Sequence, residues 1–117
     1  MVMTPKEFEK YLARDVRCSH CGRADDTLVI QHRANRGMGG SKRRNSPANL
    51  LVLCSEVNGL IESDADWAAT AKRFGWKLES WEDPEVAPVY DVAVGVWSVL
   101  DNDLNRFALI AYQNDVE

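Results

Sequence analysis

Cys18 and Cys21 stand in C-x-x-C spacing, Cys54 supplies a third thiol, and between them lie His32, ending a β-branched apolar run, and Asn49, opening a second one. Asn58 follows shortly after Cys54. Thiols at that spacing can hold a soft metal ion in a small knuckle. An imidazole, with an ordinary pKa near ~6.5, is mostly neutral at pH 7 and so can take a proton from an attacking water. The amides Gln31, Asn49 and Asn58 can orient such a base or present oxygen to a hard cation. The same stretch holds Gly37, Gly39 and Gly40 with five bases, Arg33, Arg36, Lys42, Arg43 and Arg44, and no acid between His32 and Cys54. Glycines allow close backbone approach to phosphates and the bases supply charge, which favours contact with a phosphate backbone over reading of bases. A solvated basic loop is the alternative reading of any such run.

These groups need elements to position them. Thr4-Pro5-Lys6-Glu7 has the form of a capping box with proline at the first helical position, and Phe8, Tyr11 and Leu12 share a face, so a short helix is predicted over about 5–14. Thr27 to Ile30 reads as a buried strand, placing His32 at its exit, and Asn49 to Cys54 as a second strand pairing with it. Residues 34–48, rich in glycine and serine without apolar periodicity, read as a long loop. Ser55 is the expected N-cap of a two-turn helix bearing Asn58 and Glu62 on one face. Ser63 is the expected cap of the next helix, which ends at Gly75. Val89–Leu100 and Arg106–Tyr112 around Asp101–Asn105 predict a C-terminal hairpin.

The 117 residues have room for one core, and the net charge of −4 hides a divided chain. From Glu79 to Glu117 there are nine acids and a single base, Arg106. A basic strip on an acidic body can still follow a phosphate backbone, because counterion release depends on local contacts. Three cysteines cannot all pair, which favours metal binding or a reduced compartment over a disulfide framework. With no signal-peptide pattern at Met1–Thr4 and no apolar run of membrane length, the protein is expected to be soluble and cytoplasmic.

The stretches Gln31–Ser41, Ser46–Cys54 and Gly59–Ser63, in the order strand, loop, strand, helix, resemble the ββα-metal core of the HNH endonuclease family, in particular small HNH proteins encoded by phages of actinobacteria. The resemblance spans about residues 17–76, and Pro88–Asp103 is similar to the hairpin tail of such proteins. It implies an α+β fold: residues 1–78 as an HNH-like domain with an N-terminal helix and a helix after the core, and 79–117 as an acidic C-terminal β-hairpin extension. It further implies divalent-metal-dependent hydrolysis of DNA phosphodiesters, nicking or cutting with low sequence specificity, in the host cytoplasm if the chain is phage-encoded. His32 matches the general base, Asn49 the residue that orients it, and Asn58 a ligand of one Mg²⁺ or Mn²⁺, joined by Gln31 and, as an additional candidate, Glu62. Arg33, Arg36, Lys42, Arg43 and Arg44 are the expected phosphate contacts.

Two departures keep alternatives open. Gln31 and Asn58 offer only neutral oxygens where Mg²⁺ favours carboxylates, so a catalytically inactive DNA-binding or protein-interaction module is the second reading. Cys18, Cys21 and Cys54 would hold a structural zinc one ligand short, Val57 standing where the second C-x-x-C would close; His20 or water is a candidate for the gap, and three buried thiols acting as small apolar residues is the other reading. The acidic region could contact a phage or host protein, and a DNA-mimicking inhibitor is a third possibility resting on its charge alone. Trp67, Trp76, Trp81 and Trp97 are expected in the core, with stacking on bases as the alternative.

Overall fold

The computed structural model describes residues 3–35 and 45–109, which form an α+β fold of three helices and two small antiparallel sheets. Helix α1 (Pro5–Asp15) begins as the sequence predicts: the Thr4 hydroxyl accepts from the Glu7 N–H at 3.1 Å and Pro5 occupies the first turn, where a missing N–H costs nothing. It buries Tyr11 and Asp15. The Asp15 carboxylate accepts from Arg14 Nε at 2.7 Å, from Arg106 Nη1 at 2.9 Å and from the Val52 N–H at 3.0 Å. A carboxylate is tolerated inside a protein when it is paired and hydrogen-bonded in this way, and here it ties the first helix to two distant strands.

Strand β1 (Leu28–His32) pairs antiparallel with β2 (Leu50–Cys54), Leu28 facing Cys54 and His32 facing Leu50. All five residues of β2 are buried, because α1 packs on it and helix α2 (Ser55–Ser63), which follows without a linker, packs on both strands. The cap of α2 is Cys54 rather than Ser55: its Sγ accepts from the Val57 N–H at 3.5 Å. Helix α3 (Ala65–Arg73) is likewise capped one residue from the expected Ser63, by Asp64, which accepts from the N–H groups of Asp66 and Trp67. The Ser63 hydroxyl is used elsewhere, donating to Gly59 O at 2.9 Å in the last turn of α2, and the carboxylate is the stronger acceptor.

Gly75 closes α3 as expected. Its φ is +78°, and a Cβ there would stand 1.9 Å from Pro88 O, so only glycine fits. The chain then turns inward at Trp76, which is fully buried and donates from Nε1 to Tyr90 O at 2.8 Å.

The C-terminal region departs from the single hairpin expected. Strands β3 (Val89–Asp91), β4 (Val96–Leu100) and β5 (Arg106–Ala108) form a three-stranded meander. The apolar run from Val89 to Leu100 is cut by a turn at Gly95, φ +69°, whose N–H bonds Asp91 O at 2.7 Å. The second turn falls where predicted, with Asp101 accepting from the N–H groups of Asp103 and Asn105. Residues 110–112, part of the expected last strand, lie outside the described residues. Val89 and Leu100 belong to the same core as Leu50, Leu51, Val57 and Trp76, so packing runs continuously across the boundary expected after residue 78. Among the described residues, no helix is long and apolar enough to cross a membrane. Trp76 and Trp97 are buried and Trp67 is half-buried, whereas Trp81, expected in the core, is 80% exposed.

Candidate functional site

A cleft of about 330 Å³ opens where the end of β1 meets α2, lined by Ile30, Gln31, His32, Asn35, Asn58 and Glu62. The antiparallel register delivers His32 to the mouth of the sheet, and the helical spacing of Asn58 and Glu62 brings both to the facing side. His32 is half-buried, with Nε2 3.0 Å from Asn45 Oδ1. An amide oxygen only accepts, so this contact fits the tautomer with its proton on Nε2, in which Nδ1 carries the lone pair.

Asn49 is fully buried and holds the backbone just past the histidine. Its Oδ1 accepts from the Ala34 N–H at 2.9 Å, its Nδ2 donates to Ala34 O at 3.0 Å, and its own carbonyl accepts from the Arg33 N–H at 2.8 Å. Asn49, the residue expected to orient the base, thus fixes the backbone two residues past His32. Gln31 and Asn58 are brought together, as partners of each other: Asn58 Nδ2 donates to Gln31 Oε1 at 2.6 Å, and Gln31 Nε2 reaches Trp76 O at 3.4 Å. This engages the buried Gln31 oxygen expected to bind metal; Asn58 Oδ1, the exposed Glu62 carboxylate and the exposed Asn35 amide are the further side-chain oxygens lining the cleft.

Arg33 corrects the expected set of phosphate contacts. It is fully buried, with Nε on Gly75 O at 2.8 Å, Nη1 on Ala48 O at 2.8 Å and Pro84 O at 2.9 Å, and Nη2 on Ala87 O at 2.8 Å. Burial pushes its pKa down to about 9, with smaller contributions from the like charges of Arg14 and Arg106. The fork of five N–H donors suits four carbonyls converging from two segments, Ala48 before β2 and Gly75, Pro84 and Ala87 between α3 and β3, so this base joins those segments instead of meeting solvent. Arg36, Lys42, Arg43 and Arg44 lie outside the described residues.

The three thiols do meet. Cys18, Cys21 and Cys54 place their sulfurs within 4.8 Å of one another, and Cys21 Sγ lies 3.9 Å from Cys54 Sγ. Tetrahedral zinc with bonds of about 2.3 Å sets its sulfurs just under 4 Å apart, so the donor set and spacing fit a thiophilic ion. Among the described residues no other group of three or more His, Cys, Asp or Glu side chains converges in this way. The knuckle is shaped by Gly22 at φ +77° and by the Cys18 N–H bonding Arg23 O at 2.9 Å. Burial pushes the Cys18 thiol up to about 11. At Cys21 burial acts the same way but is outweighed by the Arg23 backbone N–H, the two neighbouring thiols and the Arg23 charge, which bring it below the ordinary thiol value. His20 points elsewhere: its ring packs edge-on against Trp67, 5.0 Å between centroids, and Trp76, 5.8 Å, with Nδ1 buried and unbonded.

Asn45 is the site residue that sequence reasoning missed. It sits in a loop without periodicity, and only its place beside Ser46-Pro47, at the start of a short 3-10 turn (Pro47–Asn49), signals a fixed backbone. A second, more apolar cleft of about 410 Å³ is lined by the aromatic rings of Trp67, Phe74 and Tyr90 together with His20, Asp66 and Thr70. No protein-family model, curated protein or solved structure matches the chain.

Proposed function

We propose that this chain is a divalent-metal-dependent DNA endonuclease of the HNH, ββα-metal kind, hydrolysing phosphodiester bonds with low sequence specificity. The observation that carries the reading is the His32–Asn45 contact at the mouth of a cleft shared with Asn58 and Glu62. His32 takes the proton of the attacking water at Nδ1, its Nε2 proton being held by Asn45 Oδ1. Asn49 holds the backbone that bears the base, through both peptide groups of Ala34. Asn58 Oδ1 and Glu62 form the sparse donor set that Mg²⁺ or Mn²⁺ accepts when substrate phosphate and retained waters complete its shell. Such an ion supplies charge neutralisation at the scissile phosphate. Arg36, Lys42, Arg43 and Arg44 contact the backbone of the DNA, while Arg33 does not. The knuckle would hold a separate, thiophilic ion such as zinc, since a hard cation has no reason to choose three sulfurs.

The Gln31–Asn58 bond favours a second reading, in which two amides satisfying each other mark a site that keeps DNA binding, or binding of a protein through the acidic C-terminal region, and has lost catalysis. Supercoiled plasmid incubated with purified protein in Mg²⁺, Mn²⁺ or EDTA separates the two. Nicking in either metal and none in EDTA supports the enzyme. An intact plasmid in every lane with a salt-sensitive gel shift supports the binding module.

A further inference from the structure

The cysteine cluster lacks a closing ligand, and the chain has none of the usual kind left to give. It contains three cysteines and two histidines. His32 is engaged with Asn45 in the cleft, and His20 is wedged against two tryptophans with its ring nitrogens outside the sulfur cluster. Position 57, where a second C-x-x-C would place the last thiol, carries a valine that is 4% exposed and whose N–H already donates to Cys54 Sγ. The cluster is also one-sided. Cys18 and Cys54 are buried while Cys21 is exposed, so a bound ion faces solvent on the Cys21 flank.

From this geometry we infer that the knuckle is an open-sided thiophilic metal centre: three thiolates from the chain, and a fourth coordination place held by water that an outside thiolate can exchange into. Closed structural zinc sites carry four protein ligands, whereas three protein ligands plus an exchangeable one is the arrangement of zinc sites that bind something. The surroundings suit a fixed three-legged frame. The Val92 N–H bonds Ser19 O at 2.7 Å, and a Cβ on Gly22 would stand 3.0 Å from Ala93 Cβ, so the β3–β4 turn braces the knuckle from behind. Cys54 is held as the N-cap of α2. The inference rests on metal occupancy of the knuckle and is independent of the nuclease reading.

The test is a Co²⁺ titration of the full, reduced, metal-stripped protein under anaerobic conditions, followed by its absorption spectrum and then by addition of β-mercaptoethanol. One equivalent should bind with sulfur-to-cobalt charge-transfer bands and four-coordinate ligand-field bands. Added thiol should shift the ligand-field bands and raise the charge-transfer intensity by about a third, as a fourth sulfur enters beside three. Glu56, exposed in the first turn of α2, is the nearest flexible carboxylate in sequence, and Glu56→Gln should leave both spectra unchanged. Cys21→Ser, at an exposed position that tolerates the change, should weaken Co²⁺ binding by more than about tenfold while circular dichroism stays native. Absence of any Co²⁺ binding would overturn occupancy itself. Binding with a spectrum that ignores the thiol, or one altered in Glu56→Gln, would show that the chain closes its own site and would overturn the open place alone.

Discussion

The cleft and the knuckle are both candidate metal sites, interleaved along the same stretch of chain, and they are built on opposite terms. At the knuckle the donors are of one chemical kind, two of the three are buried, and their sulfurs already lie within 4.8 Å of one another. At the cleft the two amides bond to each other at 2.6 Å, and the carboxylate, Glu62, is exposed. The knuckle has its frame before any ion arrives, so binding energy is not spent on assembling it. The cleft must be completed by what it binds. Preorganisation thus separates a site that belongs to the fold from one that forms with its substrate.

Several perturbations would sharpen or break this contrast. The largest effect is expected behind the cleft, where Arg33→Ala removes the donors to four carbonyls, two buried and two part-buried; loss of more than about 3 kcal/mol in denaturant unfolding follows, since each orphaned buried group costs about 1–3 kcal/mol. A next effect, of about 2.7 kcal/mol at a hundredfold excess over its dissociation constant, is the stabilisation that Zn²⁺ should give in thermal melts. Mg²⁺ at the same excess over protein should leave the melt where it was, because without DNA the cleft has no completed donor set. Asn58→Asp replaces a neutral oxygen with a charged one and frees Gln31 Oε1; the Mg²⁺ concentration giving half-maximal cleavage should fall by about tenfold, worth about 1.4 kcal/mol. Asn45→Ala should lower cleavage by less than that, in kcat and not in KM, as a positioning residue would, with unfolding midpoints unchanged.

Much of the frame was legible from local chemistry. The Thr4–Glu7 box, the glycine at position 75 and the strand character of the two apolar runs, which then pair across the intervening loop, each follow from rules that act within a few residues. What escaped was set by distant partners. Arg33 reads as one more base in a basic run, yet its acceptors lie as far along the chain as Ala87. Its neighbour His32 faces the cleft and Arg33 the interior, an alternation that a count of charges averages away. Cys54 caps α2 in place of the adjacent serine, so one sulfur belongs both to the cysteine cluster and to the helix start. The run from Val89 to Leu100 looked like one strand because its apolar content outweighed a lone Gly95, which the structure uses as a turn. Gln31 and Asn58 were recognisable as neighbours of the base, but that they pair with each other is a fact of side-chain placement.

The most direct measurement is the rate of plasmid nicking by His32→Ala beside the native chain in saturating Mn²⁺, with circular dichroism to show that both are folded. His32 is half-buried and its ring bonds the side chain of Asn45, so the variant should fold and lose roughly 10²–10⁴ in rate, the contribution of a positioned general base. A folded variant that nicks at the native rate would contradict the account.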